Sequence, residues 1–205
     1  METISVSIVE CGLARCAAFG QRESGDHYLI CNSKSGALIA VIDGIGHGTE
    51  AAHAAEAAAS VLGARAEEPI ISLVEQCHNR LRTTRGVVLS LASIDVTHCL
   101  MTWLGVGNVQ GVLMRANSKK GNAAEILLLR GGVVGDQLPP LQATVLPVAR
   151  GDTLYFVTDG IRTGFAESLT ARENPQRAAD RILERFQRGT DDALVLVARL
   201  TGIQQ

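Results

Sequence analysis

Several features of other protein classes are missing from this chain of 205 residues. It has no apolar run near the roughly 18 to 20 residues that a membrane-spanning helix needs, and its first residues lack the basic start and apolar block of a signal peptide. A formal net charge of -2 provides no general basic field for nucleic acid. We therefore expect a cytoplasmic protein that binds neither a membrane nor nucleic acid.

Paired cysteines are missing as well. The five cysteines are odd in number and contain no Cys-x-x-Cys spacing, so a disulfide framework is not indicated. Most of them lie inside apolar segments, where a free cysteine is typically a small buried residue. The sequence therefore predicts reduced cysteines in the core.

What the chain has is the composition of one globular domain, with 46% hydrophobic and 20% charged residues and no linker. A hairpin is predicted in the first twenty residues, with its break at Gly12. Further strands are predicted at 27–32, 37–43, 86–94, 98–105, 109–115, 124–130, 143–148, 152–158 and 192–200. Helices are predicted over 49–62, with Thr49 as the cap, over 70–83 and over 174–187.

The order of these elements predicts the fold class. Runs of strands are separated by a pair of helices, which favours an α+β fold over a regular alternation of strand and helix. We expect one domain over 1–205 with two packed, mainly antiparallel sheets and helices outside them.

Acidic residues stand at the ends of three apolar runs. Two runs end in the same dipeptide, Asp43-Gly44 and Asp159-Gly160, and Asp191-Asp192 precedes a third run. Two like charges about 4 Å apart repel by roughly 4 kcal/mol at an effective dielectric constant near 20, so converging carboxylates need a cation. Mg²⁺ or Mn²⁺ is the natural partner, because hard ions prefer oxygen ligands.

Other interpretations of these residues fit less well. A single Asp-Gly is more often a plain turn. The glycine loop 44–48 lacks the third glycine of a dinucleotide fingerprint and the Gly-Lys-Ser/Thr of a phosphate loop. His47, Glu50 and His53 do not reproduce the His-Glu-x-x-His zinc spacing and are better explained as solvated residues at a helix start.

Six segments together resemble the PPM metal-dependent protein phosphatases, the type-2C fold. They are Ser24-Gly25-Asp26, Val41 to Gly48, Arg85-Gly86-Val87-Val88, Gly105-Val106-Gly107-Asn108, Val157-Thr158-Asp159-Gly160 and Asp191-Asp192. The chain is most similar to the small bacterial branch with RsbX, RsbU and SpoIIE, and its minimal size resembles RsbX. Three positions depart from the family pattern. Arg22 is out of register with the family's phosphate-binding arginine, Leu194 stands where the family usually has threonine, and the greater length of the loop 115–124 predicts a family-specific surface.

The resemblance implies an αββα sandwich with two Mn²⁺ or Mg²⁺ ions in a cleft between the sheets. Asp43 would bridge both ions, the carbonyl of Gly44 would bind one, and Asp159 and Asp191 would bind the other. Asp26 would join Asp43 in catalysis, acting through water or near the second ion. The substrate-binding residues would be Gly46, His47 and Arg22, which lies near the place of the family's phosphate-binding arginine.

The resemblance also implies a serine/threonine phosphatase. Its substrate would be a phosphorylated STAS-domain regulatory protein in a stressosome-like stress-signalling partner switch, which the enzyme would reset. A monomer or weak dimer is expected. The alternative is a catalytically weak or inactive binding module of the same fold that docks a signalling regulator. Retention of Asp26, Asp43, Asp159 and Asp191 argues against that alternative.

Overall fold

The computed structural model describes residues 8–21, 23–117, 124–170 and 172–203. Two sequence predictions fall outside these residues: the substrate-binding role of Arg22 and most of the surface assigned to 115–124. The described residues form ten strands, three α-helices and one 3₁₀-helix, Phe165–Ser168. No helix among them is both long and apolar enough to cross a membrane.

The strands are β1 Val9–Cys16, β2 Asp26–Asn32, β3 Gly36–Gly44, β4 Val87–Asp95, β5 Leu100–Val106, β6 Gln110–Met114, β7 Ala124–Ile126, β8 Thr144–Pro147, β9 Thr153–Val157 and β10 Ala193–Leu200. The α-helices are α1 Thr49–Ala64, α2 Ile70–Leu81 and α3 Pro175–Phe186. One sheet has the order β1-β10-β9-β6-β7 and the other β2-β3-β4-β5-β8. Every pair of neighbouring strands is antiparallel.

The hydrophobic core has three layers, which define a four-layer sandwich. The central layer joins the inner faces of both sheets, where Trp103 stacks on Phe156 with ring centroids 5.4 Å apart. A second layer lies between the β2-β3-β4-β5-β8 sheet and α1 with α2, and a third lies between the other sheet and α3. The αββα sandwich is therefore confirmed.

The burial pattern of each element explains its place. Strand β3 is buried along almost its whole length because it lies between the central layer and α1. Helix α1 presents alanines to the sheet, and their small side chains let its backbone come close to β3. Helix α2 buries Ile70, Leu73, Val74, Cys77 and Leu81, as its three- and four-residue spacing predicted.

The N-terminal hairpin prediction is wrong for the described residues. A single strand, β1, continues through Gly12 and pairs with β10. A glycine is required at position 12 by close packing, since a Cβ on it would overlap the backbone of Pro175 at the start of α3. The sequence pattern indicated a turn at this glycine, but the structure shows that the glycine is needed because helix α3 packs closely against β1.

Three smaller predictions also need correction. Thr49 is the first residue of α1 and does not cap it; Gly48 stands at the N-cap with φ of 71° and no side-chain cap. Strand β7 ends at Ile126, short of the predicted 130. Of the five cysteines only Cys77 is buried, while Cys11 is exposed and the other three are partly exposed.

Candidate metal centre and active site

Two carboxylates face each other across the β2-β3 ladder. Asp26 is the first residue of β2 and is paired in register with Asp43, the second-last residue of β3. Asp26 is buried, and Asp43 is partly buried. Like charges placed directly opposite each other on neighbouring strands are destabilising, so this pair needs compensation from its surroundings.

The other sheet brings its acidic residues to the same place. Asp159 follows the end of β9, and Asp191 and Asp192 precede β10, its antiparallel neighbour. The hydroxyl of Thr158 then links the sheets, since it donates to Oδ2 of Asp26 at 2.8 Å and accepts the backbone N–H of Leu194 at 2.9 Å. The strand ends of both sheets therefore converge.

These residues line one cleft of about 490 Å³. It contains six of the eight predicted site residues: Asp26, Asp43, Asp159, Asp191, Gly46 and His47. Its other walls are Ala18, Phe19, Gln21, Ile45, Val88, Asn108, Thr190 and Asp192. Gly44 does not line it, and Arg22 lies outside the described residues.

The environment of the cleft disfavours the ionised form of its carboxyl groups. Burial, followed by repulsion from Asp26, Asp159, Asp191 and Asp192, raises the pKa of Asp43 to about 8. Burial also raises the pKa of Asp26 to about 7, although the Thr158 hydrogen bond opposes that shift. The pKa of Asp159 is raised as well, chiefly by burial and then by Asp191.

The donor set fits a hard divalent cation. It consists of carboxylate oxygens from two sheets, with room between them for water, which is how Mg²⁺ and Mn²⁺ are usually bound. Within the part of the chain that the structure describes, no three acidic, histidine or cysteine side chains meet closely enough to hold a metal ion as they stand. The carboxylates that line the cleft come from both sheets, and their like charges repel.

The two Asp-Gly glycines are required by close backbone packing. A Cβ on Gly44 would overlap the carbonyl oxygen of Ala51 in α1, and one on Gly160 would overlap the carbonyl oxygen of Asp192. Neither glycine has a positive φ. Each glycine lets a neighbouring backbone approach the strand end that carries an aspartate. The assignment of the Gly44 carbonyl as a metal ligand stays a prediction.

Sequence reasoning missed three side chains that organise the cleft. Asn108 donates to Oδ2 of Asp159 at 2.8 Å, and Nε of Arg188 donates to the backbone carbonyl of Asp159 at 2.8 Å. Asp192 is buried and accepts the N–H groups of Ala18 at 2.7 Å and Gly25 at 2.6 Å. The available signals were the position of Asn108 in a loop after an apolar strand and the doubled aspartate at 191–192.

The glycine loop after β3 has a structural partner in Arg85. Gly46 has φ of 102°, and a Cβ there would crowd the Arg85 guanidinium. The guanidinium pairs with Glu50 at 2.5 Å, and both side chains are largely exposed. Glu50 therefore has an arginine partner, which agrees with the rejection of a His47, Glu50 and His53 zinc set.

Comparison with protein families identifies the family of this chain. The model of Stage II sporulation protein E (SpoIIE) matches residues 33–201. The chain belongs to the SpoIIE family. The predicted resemblance to PPM-type protein serine/threonine phosphatases of the RsbX-like branch is therefore confirmed.

Individual relatives of this family member agree with that placement. Phosphoserine phosphatase RsbX of Bacillus subtilis (strain 168) is 28% identical over 94 residues, which are 46% of this chain and 47% of the relative. The match thus spans about half the length of that relative. A solved structure of the bacterial stressosome, a modular system adapted to control secondary messenger signalling, has a chain 30% identical with a TM-score of 0.84. The match covers 93% of this chain and 99% of that one.

A third comparison concerns the fold alone. The crystal structure of RsbX in complex with magnesium is 19% identical, with a TM-score of 0.83 over 94% of this chain and 96% of the other. At this identity the similarity shows that the SpoIIE-family chain shares the two-sheet architecture of RsbX.

Proposed function

We propose that this protein is a Mn²⁺- or Mg²⁺-dependent protein serine/threonine phosphatase. The observation that carries the proposal is the cleft in which Asp26, Asp43, Asp159 and Asp191 meet from two sheets. The raised pKa values of Asp26, Asp43 and Asp159 support it, because burial and then like-charge repulsion disfavour their ionised forms, which a bound cation would stabilise. Family membership supports the reaction class.

The carboxylates receive different roles in this proposal. Asp43 is repelled by all of Asp26, Asp159, Asp191 and Asp192, which supports assigning it to contact both ions. Asp159 and Asp191 would hold one of them, while Asp26 would act through water or near the second ion. When bound, such ions would supply Lewis acidity and would lower the pKa of a nearby water that serves as the nucleophile.

The substrate phosphate would enter over the loop after β3. Gly46 and His47 are exposed at the cleft, so a backbone N–H and an imidazole are available to an incoming anion. The assignment of Arg22 to phosphate binding rests on its place in the sequence alone.

The proposed substrate is a phosphorylated STAS-domain regulatory protein. In a bacterial stress-signalling partner switch, the enzyme would reset such a regulator as negative feedback. The similarity to a stressosome chain and to phosphoserine phosphatase RsbX supports this pathway. We further propose a cytoplasmic protein, with 1–205 acting as one phosphatase domain and as a monomer or weak dimer.

Phosphate release from a phosphoserine STAS-domain protein tests the reaction. The wild type should release phosphate with Mn²⁺ and lose activity in EDTA. Asp43→Ala should reduce kcat by at least about a thousandfold, whereas Asp136→Ala, which removes an exposed carboxylate outside the cleft, should not. Equal rates for wild type and Asp43→Ala would overturn the proposal.

A second candidate is a binding module that docks a phosphorylated regulator without hydrolysing it. It would use the same cleft to recognise the phosphorylated regulator without turnover. Calorimetry with the phosphoserine STAS-domain protein distinguishes the candidates. Unchanged affinity in EDTA with no phosphate released in Mn²⁺ would select the binding module.

A further inference from the structure

Phe19 is at the tip of a turn beside the acidic cleft, and its side chain is 97% exposed. The backbone N–H of Gln21 donates to the carbonyl of Ala18 at 3.0 Å, which closes a β-turn over 18–21. Gly20 takes a φ of 82° at the third position of that turn, a conformation that glycine adopts without steric cost. The turn therefore displays the ring to solvent.

The turn is fixed to the acidic cluster. Asp192 is buried, and its two carboxylate oxygens accept the N–H groups of Ala18 and Gly25, on either side of the turn. Hydrogen bonds from backbone N–H groups to a carboxylate are among the stronger ones in proteins. Phe19 is consequently held at the cleft, in contrast to Phe156 and Phe165, which are buried in the core.

The surroundings of the ring indicate what it contacts. Phe19, the partly exposed Ile45 and Val88 line the same cleft as the carboxylates, so the cleft has apolar as well as acidic lining. An isolated phosphate ion would make no favourable contact with these apolar side chains. A phosphorylated polypeptide would contact them, because residues next to its phosphoserine must cross the rim of the cleft.

We propose that Phe19 and Ile45 form a specificity surface that packs against an apolar side chain next to the phosphoserine of a polypeptide substrate. This inference rests on the proposed phosphatase function. An exposed aromatic ring provides a large rigid contact area at low entropic cost, which is why aromatic residues carry much of the binding energy at interfaces.

Steady-state kinetics on synthetic phosphopeptides test the proposal. One peptide carries phosphoserine with serines on both sides, and a series replaces one flanking serine at a time with leucine. For the wild type in Mn²⁺, kcat/KM should be at least about fivefold higher for one or more leucine peptides. Phe19→Ala should reduce this preference to less than about twofold, and Phe19→Leu should keep part of it.

Leu128→Ala is the matched control, because Leu128 is 86% exposed and does not line the cleft. It should keep the full preference. Leucine and serine peptides hydrolysed equally by the wild type, or a preference retained in Phe19→Ala, would overturn the inference and leave the phosphatase function intact. No hydrolysis of any peptide or phosphoprotein would overturn both. A change of sedimentation coefficient in Phe19→Ala with the preference retained would assign the ring to contact between copies and overturn the inference.

Discussion

Asp26 and Asp43 are directly paired in register on adjacent antiparallel strands, at the end of the ladder where the two sheets form a cleft. Two carboxylates at such a position repel each other and stabilise nothing by themselves. Such clusters of perturbed carboxylates are typical of functional sites. The other carboxylates of the cleft come from the opposite sheet, so the folded chain concentrates charge that a cation would neutralise.

The first prediction concerns pH and the stability of the metal-free protein. The pKa of Asp43 is raised from its ordinary 3.8 to about 8, so its contribution to stability is fully present below pH 4 and is lost as the pH rises through 8. Asp43→Asn removes this loss. In EDTA at pH 8.5 the variant should therefore be more stable than the wild type, by about 1 to 3 kcal/mol.

Urea unfolding of both proteins in EDTA between pH 5 and pH 8.5 measures this difference. The wild type should lose stability relative to Asp43→Asn as the pH rises, and Mn²⁺ should restore stability in the wild type alone. Parallel pH profiles for the two proteins would contradict a strained carboxylate at this position.

The second prediction concerns the hydroxyl that joins the two sheets. Thr158→Val removes the donor to Asp26 and the acceptor for the N–H of Leu194, and it leaves both groups buried. We expect the free energy of unfolding to fall by about 2 kcal/mol. The pKa of Asp26 should rise further above 7, because this hydrogen bond lowers it.

Carboxyl ¹³C NMR of the metal-free protein follows the Asp26 titration directly. Thr153→Val is the control, since the Thr153 hydroxyl donates to the carbonyl of Gly151 at the other end of β9. That control should leave the pKa of Asp26 in place. An unchanged Asp26 titration in Thr158→Val would show that the hydrogen bond has no electrostatic role.

The third prediction concerns the glycines of the two Asp-Gly pairs. Gly44→Ala and Gly160→Ala each drive a methyl group into a backbone carbonyl oxygen, of Ala51 and Asp192 respectively. Each should reduce the free energy of unfolding by about 2 to 4 kcal/mol, because neighbouring backbone has to move.

Gly131→Ala is the matched control, since a Cβ there meets nothing within 4 Å and its φ is not positive. It should change the unfolding free energy by less than about 0.5 kcal/mol. Thermal and urea unfolding distinguish the three variants. Wild-type stability in both Gly44→Ala and Gly160→Ala would mean that the close approaches do not hold in solution.

Local sequence patterns predicted much of the fold for a physical reason. Continuous apolar runs located β3, β9 and β10, alanine content located α1, and the spacing of apolar residues located α2. Acidic residues directly after or before such runs pointed to the cleft, because antiparallel neighbours in a sheet bring their ends together.

Features that depend on distant parts of the chain could not be predicted in this way. The pairing of β1 with β10 and the approach of α3 to Gly12 join opposite ends of the chain. The hydrogen bond from Asn108 to Asp159 likewise exists only once two loops meet. Asp191 and Asp192 are adjacent and have the same side chain, yet Asp191 is exposed and Asp192 is buried, a difference that the sequence alone does not predict.

Manganese binding tests the central claim most directly, because it does not depend on the identity of the substrate. Electron paramagnetic resonance of free Mn²⁺ gives the affinity of the wild type, of Asp43→Asn and of the exposed control Asp136→Asn. The cleft predicts that wild type and Asp136→Asn bind Mn²⁺ with similar affinity, and that Asp43→Asn binds at least about a hundredfold more weakly. Equal affinity in Asp43→Asn, or no binding by the wild type, would contradict a metal centre in this cleft.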